Sequence, residues 1–254
     1  MRRTKFLFAA LILFLLLLGT TTILVLGNEY KIGVKQGDNL AWKCNIVDEE
    51  KLQKLFGIGW QEKFLLLKGI REGAIMQWEI LETSENDLVY SMRTGSNERA
   101  LKIVFNYLGW TESERTQGTP LEMRLYYFIN PNHFPENFIF LDYVPFWLPI
   151  PVGEYLKELE TTLHKGYEVD VTYLLTLSLE VKQGDEQGGN PSEDFKVMAL
   201  YDSQGILVSY KLYIGNHQVL IDISLISKFI YQFPVFLILV LAFSLVTIYF
   251  YKRY

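Results

Sequence analysis

Three histidines, His133, His164 and His217, and one cysteine, Cys44, are the only imidazole and thiol groups in the chain, and they lie far apart in sequence. A zinc site draws three or four such ligands, usually as closely spaced pairs, so this spacing offers no metal centre. Oxygen ligands gather in residues 184–194, where Asp185, Glu186, Asn190, Glu193 and Asp194 fall among glycines. They lack the regular spacing of an EF-hand calcium loop and read as a solvated hairpin loop. Acyl transfer would call for a Gly-X-Ser-X-Gly elbow, which is absent, and Ser203 belongs to the turn Asp202-Ser203-Gln204-Gly205. No glycine-rich phosphate cradle precedes a helix. Glu49, Glu50, Glu158 and Glu160 read as ordinary helix surface. No cofactor is implied, and an enzyme would need acids distant in sequence to converge without a local motif.

The apolar residues offer more. Trp42 and Trp78 stand on the apolar registers of two strand patterns, where they either line a cavity for a lipid-like apolar ligand or fill a core. Phe146, Trp147 and Leu148, set between Pro145 and Pro149, either close one end of that core or form an exposed contact with a membrane or a partner. Cys44 shares the register of Trp42 and reads as inert core packing. Being alone, it leaves the domain without an intrachain disulfide and dependent on apolar burial.

The elements that position these residues are mostly strands. Leu40, Trp42, Cys44 and Ile46 alternate with polar or small residues, as a half-buried strand does. Asp48 then occupies an N-cap position, with Glu49 and Glu50 in the first turn of a short helix that carries Leu52, Leu55 and Phe56 and stops at Gly57. Further registers are Phe64, Leu66 and Ile70, then Met76, Trp78 and Ile80. A polar turn at 84–87 precedes a strand at 88–92, and alternation resumes at 101–107 and 121–127, with polar connections at 95–99 and 111–120. Residues 131–151 hold five of the eight prolines around a strand-like stretch, 138–143. Val152, Tyr155, Leu156, Leu159 and Leu163 follow at helical spacing, with Pro151 near the start and Gly166 beyond the end. Alternation returns at 173–181, 195–201, 206–214 and 219–226. The expected fold class is α+β, mainly antiparallel β: one strongly curved sheet of about nine or ten strands with two short helices, plus terminal transmembrane helices.

Residues 229–251 contain no charged side chain. At about 1.5 Å per residue they span roughly 34 Å as a helix, enough for a hydrocarbon layer of about 30 Å. Tyr231 at one end and Tyr249 and Tyr251 at the other suit the membrane interfaces, and Lys252 and Arg253 mark the cytoplasmic side. Residues 1–27 begin with Arg2, Arg3 and Lys5 and continue with an apolar run, which reads either as a cleaved signal peptide or as an uncleaved anchor. Both readings send residues 28–227 outside the cell membrane as one extracytoplasmic domain and leave 228–254 as a C-terminal anchor with a short cytoplasmic tail. The chain has 24 Lys and Arg; the five that flank the apolar runs set aside, 19 face 29 Asp and Glu, about −10. That balance argues against nucleic acid as a partner. Expected partners are the lipid bilayer and either another surface protein or an apolar ligand.

The lead Gly-Val-Lys-Gln-Gly-Asp at 33–38, and the hairpin Tyr-Asp-Ser-Gln-Gly-Ile-Leu-Val-Ser-Tyr at 201–210 ahead of a C-terminal anchor, resemble uncharacterised membrane-anchored archaeal surface domains. The resemblance implies a prokaryotic surface protein and brings no activity with it. In outline, a curved sheet over a helix is also similar to the half-barrels of lipoprotein carriers of the outer-membrane sorting type, which implies an apolar ligand inside the sheet. The leading expectation is a membrane-anchored, non-enzymatic extracytoplasmic binding or interaction domain. A lipid carrier comes second, and an enzyme without a local motif third.

Overall fold

Leu40, Trp42 and Cys44 point to one side of β1 (Asn39–Val47) and are buried, while Lys43 points to the other and is exposed. Around this strand a computed structural model describes residues 29–229, except 65, 112–119, 134–143, 162, 164–165, 186–190 and 216–217. β1 pairs on one side with β2 (Ile75–Ser91) and on the other with the last strand, β9 (Gln218–Phe229). From β2 the chain meanders outward through β3 (Ser96–Thr111) to β4 (Leu121–Phe128). The other half runs from β5 (Tyr167–Asp170) through β6 (Leu175–Val181), β7 (Phe195–Tyr201) and β8 (Leu207–Ile214) back to β9. The spatial order is β4-β3-β2-β1-β9-β8-β7-β6-β5, every pair is antiparallel, and the sheet does not close.

Register keeps one apolar face continuous across the sheet. Trp42 lies opposite Met76 and Leu225, Cys44 opposite Ile223, Ile223 opposite Tyr210, Tyr210 opposite Ala199, and Ala199 opposite Leu177. Two helices cover that face. In α1 (Glu49–Phe56) Asp48 Oδ1 accepts the Lys51 N–H at 3.1 Å, which caps the helix as its sequence suggests, and Leu52, Leu55 and Phe56 are buried. In α2 (Val152–Glu160) the buried stripe is Val152, Tyr155, Leu156 and Leu159. With no disulfide available, stability rests on such burial, at about 1.5–3 kcal/mol for each large side chain fully removed from water.

Several local expectations change. The register of Phe64, Leu66 and Ile70 is not a strand: residues 60–63 form a 3-10 turn, and Gly59, Gly69 and Gly73 take positive φ, which breaks a ladder there. The polar stretch 84–87 is not a turn but an irregularity inside the 17-residue β2. It stays in the strand because Asp87 accepts from Ser84 Oγ at 2.6 Å and pairs with Lys102 of β3 at 3.2 Å. Residues 96–99, expected as a connection, belong to β3, and the turn is 92–95. β5 was not expected, although Tyr167 and Val169 alternate with Glu168 and Asp170. Tyr173 stands outside β6 and is exposed. β9 continues past Ile226 to Phe229, so no residue separates the sheet from the charge-free stretch. Among the described residues no helix is long and apolar enough to cross a membrane; residues 1–27, 230–254 and 138–143 lie outside them.

Candidate functional site

At the free edge of the sheet, an open groove of about 870 Å³ runs along β5 to β8, where the polar face meets the end of α2. Strand alternation builds it. Glu168 and Asp170 on β5, Thr176 and Ser178 on β6, Lys196 and Met198 on β7 and Ser209 on β8 share this face, because Glu168 lies opposite Ser178, Ser178 opposite Met198, and Leu200 opposite Thr176 and Ser209. Glu160 and Leu163, from the end of α2 and the link to β5, bound one side, and Leu174 of the β5–β6 turn another. Three carboxylates, of Glu160, Glu168 and Asp170, line it together with Lys196, whose Nζ lies 3.3 Å from Glu168 Oε2. Met198 and Leu174 add partly exposed apolar surface, and Ser178 is a nearly buried hydroxyl. Among the described residues no hydrogen bond joins a serine or threonine hydroxyl of this lining to one of its carboxylates. The groove offers acceptors, one cation and apolar patches, which is the equipment of a binding surface.

Trp42 and Trp78 lie in the core at 0% and 1% exposure, with ring centroids 5.0 Å apart. Phe105 stacks on Trp78 at 4.2 Å, Phe146 meets Trp42 edge-on at 5.4 Å, and Trp42 Nε1 donates to Leu207 O at 2.8 Å. Aromatic side chains thus occupy the space beside both tryptophans. Phe146, Trp147 and Leu148 are buried at 1%, 1% and 0%, so they close the core instead of presenting an exposed patch. Their segment is bound on both sides: Leu148 N–H donates to Gly205 O at 2.7 Å, Leu207 N–H to Phe146 O at 3.0 Å, and Lys31 and Ile150 exchange N–H to O bonds of 2.9 Å. A short bridge of this kind suits a proline-bounded segment that cannot supply a full ladder.

Cys44 is fully buried, and burial pushes its thiol up to about 12, so it is neutral at physiological pH. Thiol reagents are therefore expected to leave the native full chain unmodified and to label it once under denaturing conditions, as intact mass would report; rapid native labelling would contradict the packing. In the loop after β6, Asp194 Oδ1 accepts the Gln183 N–H at 2.8 Å and Oδ2 lies 3.2 Å from Lys182 Nζ. The Gln183 hydrogen bond first, then Lys182, hold this carboxyl below its usual value. Asp194 thus fastens the base of the loop. Among the described residues no group of three or more His, Cys, Asp or Glu side chains could hold a metal ion. Residues 186–190, His164, His217, Tyr231, Tyr249, Tyr251, Lys252 and Arg253 lie outside the described residues, as does the side chain of His133.

Sequence reasoning missed the groove because its residues come from four strands and a helix end, with no local spacing to announce them. The alternation at 167–170 was the one available signal. Comparison with protein-family models, characterised proteins and solved structures finds no match.

Proposed function

We propose that the chain is a membrane-anchored extracytoplasmic domain that binds a segment of another surface protein and does no catalysis. The anchor is residues 229–251, with Tyr231, Tyr249 and Tyr251 at the interfaces and Lys252 and Arg253 on the cytoplasmic side. A strongly curved sheet stands directly on it. The observation that carries the binding reading is the groove along β5 to β8, where carboxylates outnumber the single lysine and Met198 and Leu174 supply apolar contact. Such a lining suits an extended segment that alternates basic and apolar side chains.

Native mass spectrometry of the full chain purified in mild detergent tests this. A bound partner is expected on the wild type, and it should be lost from the double variant Asp170→Lys, Met198→Glu, whose two positions are exposed enough for the melting temperature to hold. A bare chain mass from gently solubilised membranes, or a partner retained equally by the variant, would overturn the reading.

A further inference from the structure

β9 ends at Phe229 opposite Asn39, the first residue of β1. β2 passes the same level at Glu79, also opposite Asn39, and continues to Ser91 before turning back into β3. At about 3.3 Å per residue, the β2–β3 hairpin can extend at most roughly 40 Å beyond the point where β9 leaves the sheet. It extends on the side toward which β9 runs. The other chain end arrives there too: Ile32 N–H donates to Glu85 Oε1 at 3.1 Å, Gly37 N–H to Ile80 O at 2.8 Å, and Arg99 of the hairpin lies 3.4 Å from Glu29, the first described residue. Both apolar runs of the sequence, before Glu29 and after Phe229, therefore connect to the domain at this end.

Near the tip of that hairpin, Leu88, Tyr90 and Met92 are 69%, 61% and 70% exposed. They alternate, so Leu88 and Tyr90 share one face of β2 and Met92 continues it into the turn, while Ser91 on the other face is buried. Ile58 and Ile46, the exposed apolar residues at the opposite end, form no such row. Charge points the same way. From Leu88 to Arg99 the hairpin carries Arg93, Arg99 and Glu98, and with Glu29, the partner of Arg99, the tip is neutral on a domain of about −10. An alternating apolar row with Arg93 after it and Arg99 across from it, on a projection beside an anchor, is what the head-group layer of a bilayer accommodates.

Resting on the reading of 229–251 as an anchor, we propose that the tip of the β2–β3 hairpin sits in the head-group layer of the membrane, with Leu88, Tyr90 and Met92 as the inserted row. The hairpin then acts as a second foot beside the anchor and sets the tilt of the domain. This tilt decides which way the β5–β8 groove faces.

The test uses the full chain in vesicles of phosphatidylcholine and phosphatidylglycerol, with an environment-sensitive fluorophore on Tyr90→Cys, and on Met92→Cys as a second site. Cys44 is buried and stays unlabelled. Asp185→Cys, in the loop at the opposite end, is the reference, and Leu239→Cys reports on the anchor. With lipids carrying a nitroxide near the glycerol backbone, the two tip positions are expected to be quenched about threefold more than position 185. Nitroxides near the acyl-chain ends should quench position 239. Quenching at 239 with none at 90 and 92 would overturn the proposal and leave the anchor standing. No quenching at 239 would remove the anchor and the proposal together. Energy transfer between labels on two chains, without quenching by lipid, would assign the row to a second copy and also overturn it.

Discussion

Gly205→Ala is expected to abolish the native fold or to lower its stability by more than about 4 kcal/mol, at the far end of what single substitutions do. Gly205 has φ +82°, where an alanine costs about 1–2 kcal/mol on backbone grounds alone. The larger cost is steric, since a Cβ there would lie 1.9 Å from the carbonyl oxygen of Leu148. That oxygen has little room to retreat. Leu148 N–H is bonded to Gly205 O, and the flanking bond from Leu207 N–H to Phe146 O holds the two segments in register. The control is Gly59→Ala, with φ +73° and ψ 21° in the left-handed region and nothing within 4 Å of the added Cβ. It should cost only the backbone part. Thermal melts of the two full-length variants, followed by circular dichroism, make the comparison, and equal losses would contradict the close contact between the 145–151 segment and the β7–β8 turn.

Trp147→Ala is expected to cost about 3–5 kcal/mol, the usual range for deleting a buried tryptophan. In a domain of this size that lowers the melting temperature by roughly 10 °C or more. Trp147 packs edge-on against Tyr127 at 4.7 Å, and its Nε1 makes no hydrogen bond among the described residues, so Trp147→Phe should lose much less. A tryptophan held at the surface for contact with lipid would shift stability by only about ±0.5 kcal/mol on truncation. An unchanged melt would therefore return Trp147 to the surface and refute its place in the core.

The strands were legible wherever one face is buried. Leu40, Trp42 and Cys44, or Leu101, Ile103 and Phe105, show period two because the sheet has an apolar and a polar side, and Asp48 marked its helix start because a carboxylate there accepts an orphan N–H. Legibility failed where tertiary contacts override local type. Ser84 to Asp87 look like a turn, yet Lys102 on the neighbouring strand gives Asp87 a partner and β2 runs on. Phe64, Leu66 and Ile70 match a strand only until glycine conformations are known. The spacing of Phe146, Trp147 and Leu148 suits both a core plug and a surface patch, and only the bonds to Gly205 and Leu207 decide between them. The groove depends on which strands become neighbours. No local pattern carries that information.

The pairing of β1 with β9 sets the order in which the domain can be completed. Cys44 lies opposite Ile223, so the seam joining the two half-sheets closes between segments about 180 residues apart in the chain. At synthesis rates of roughly 5–20 residues per second, β1 waits on the order of 10–40 seconds for its partner strand. During that interval β1 is an edge strand, with its N–H and C=O groups open to pairing with another chain and only Asn39, Lys43 and Asn45 on its polar face to discourage it. Each newly made chain therefore depends on protection from its neighbours until its last strand emerges, immediately ahead of the stretch that would hold it in the bilayer.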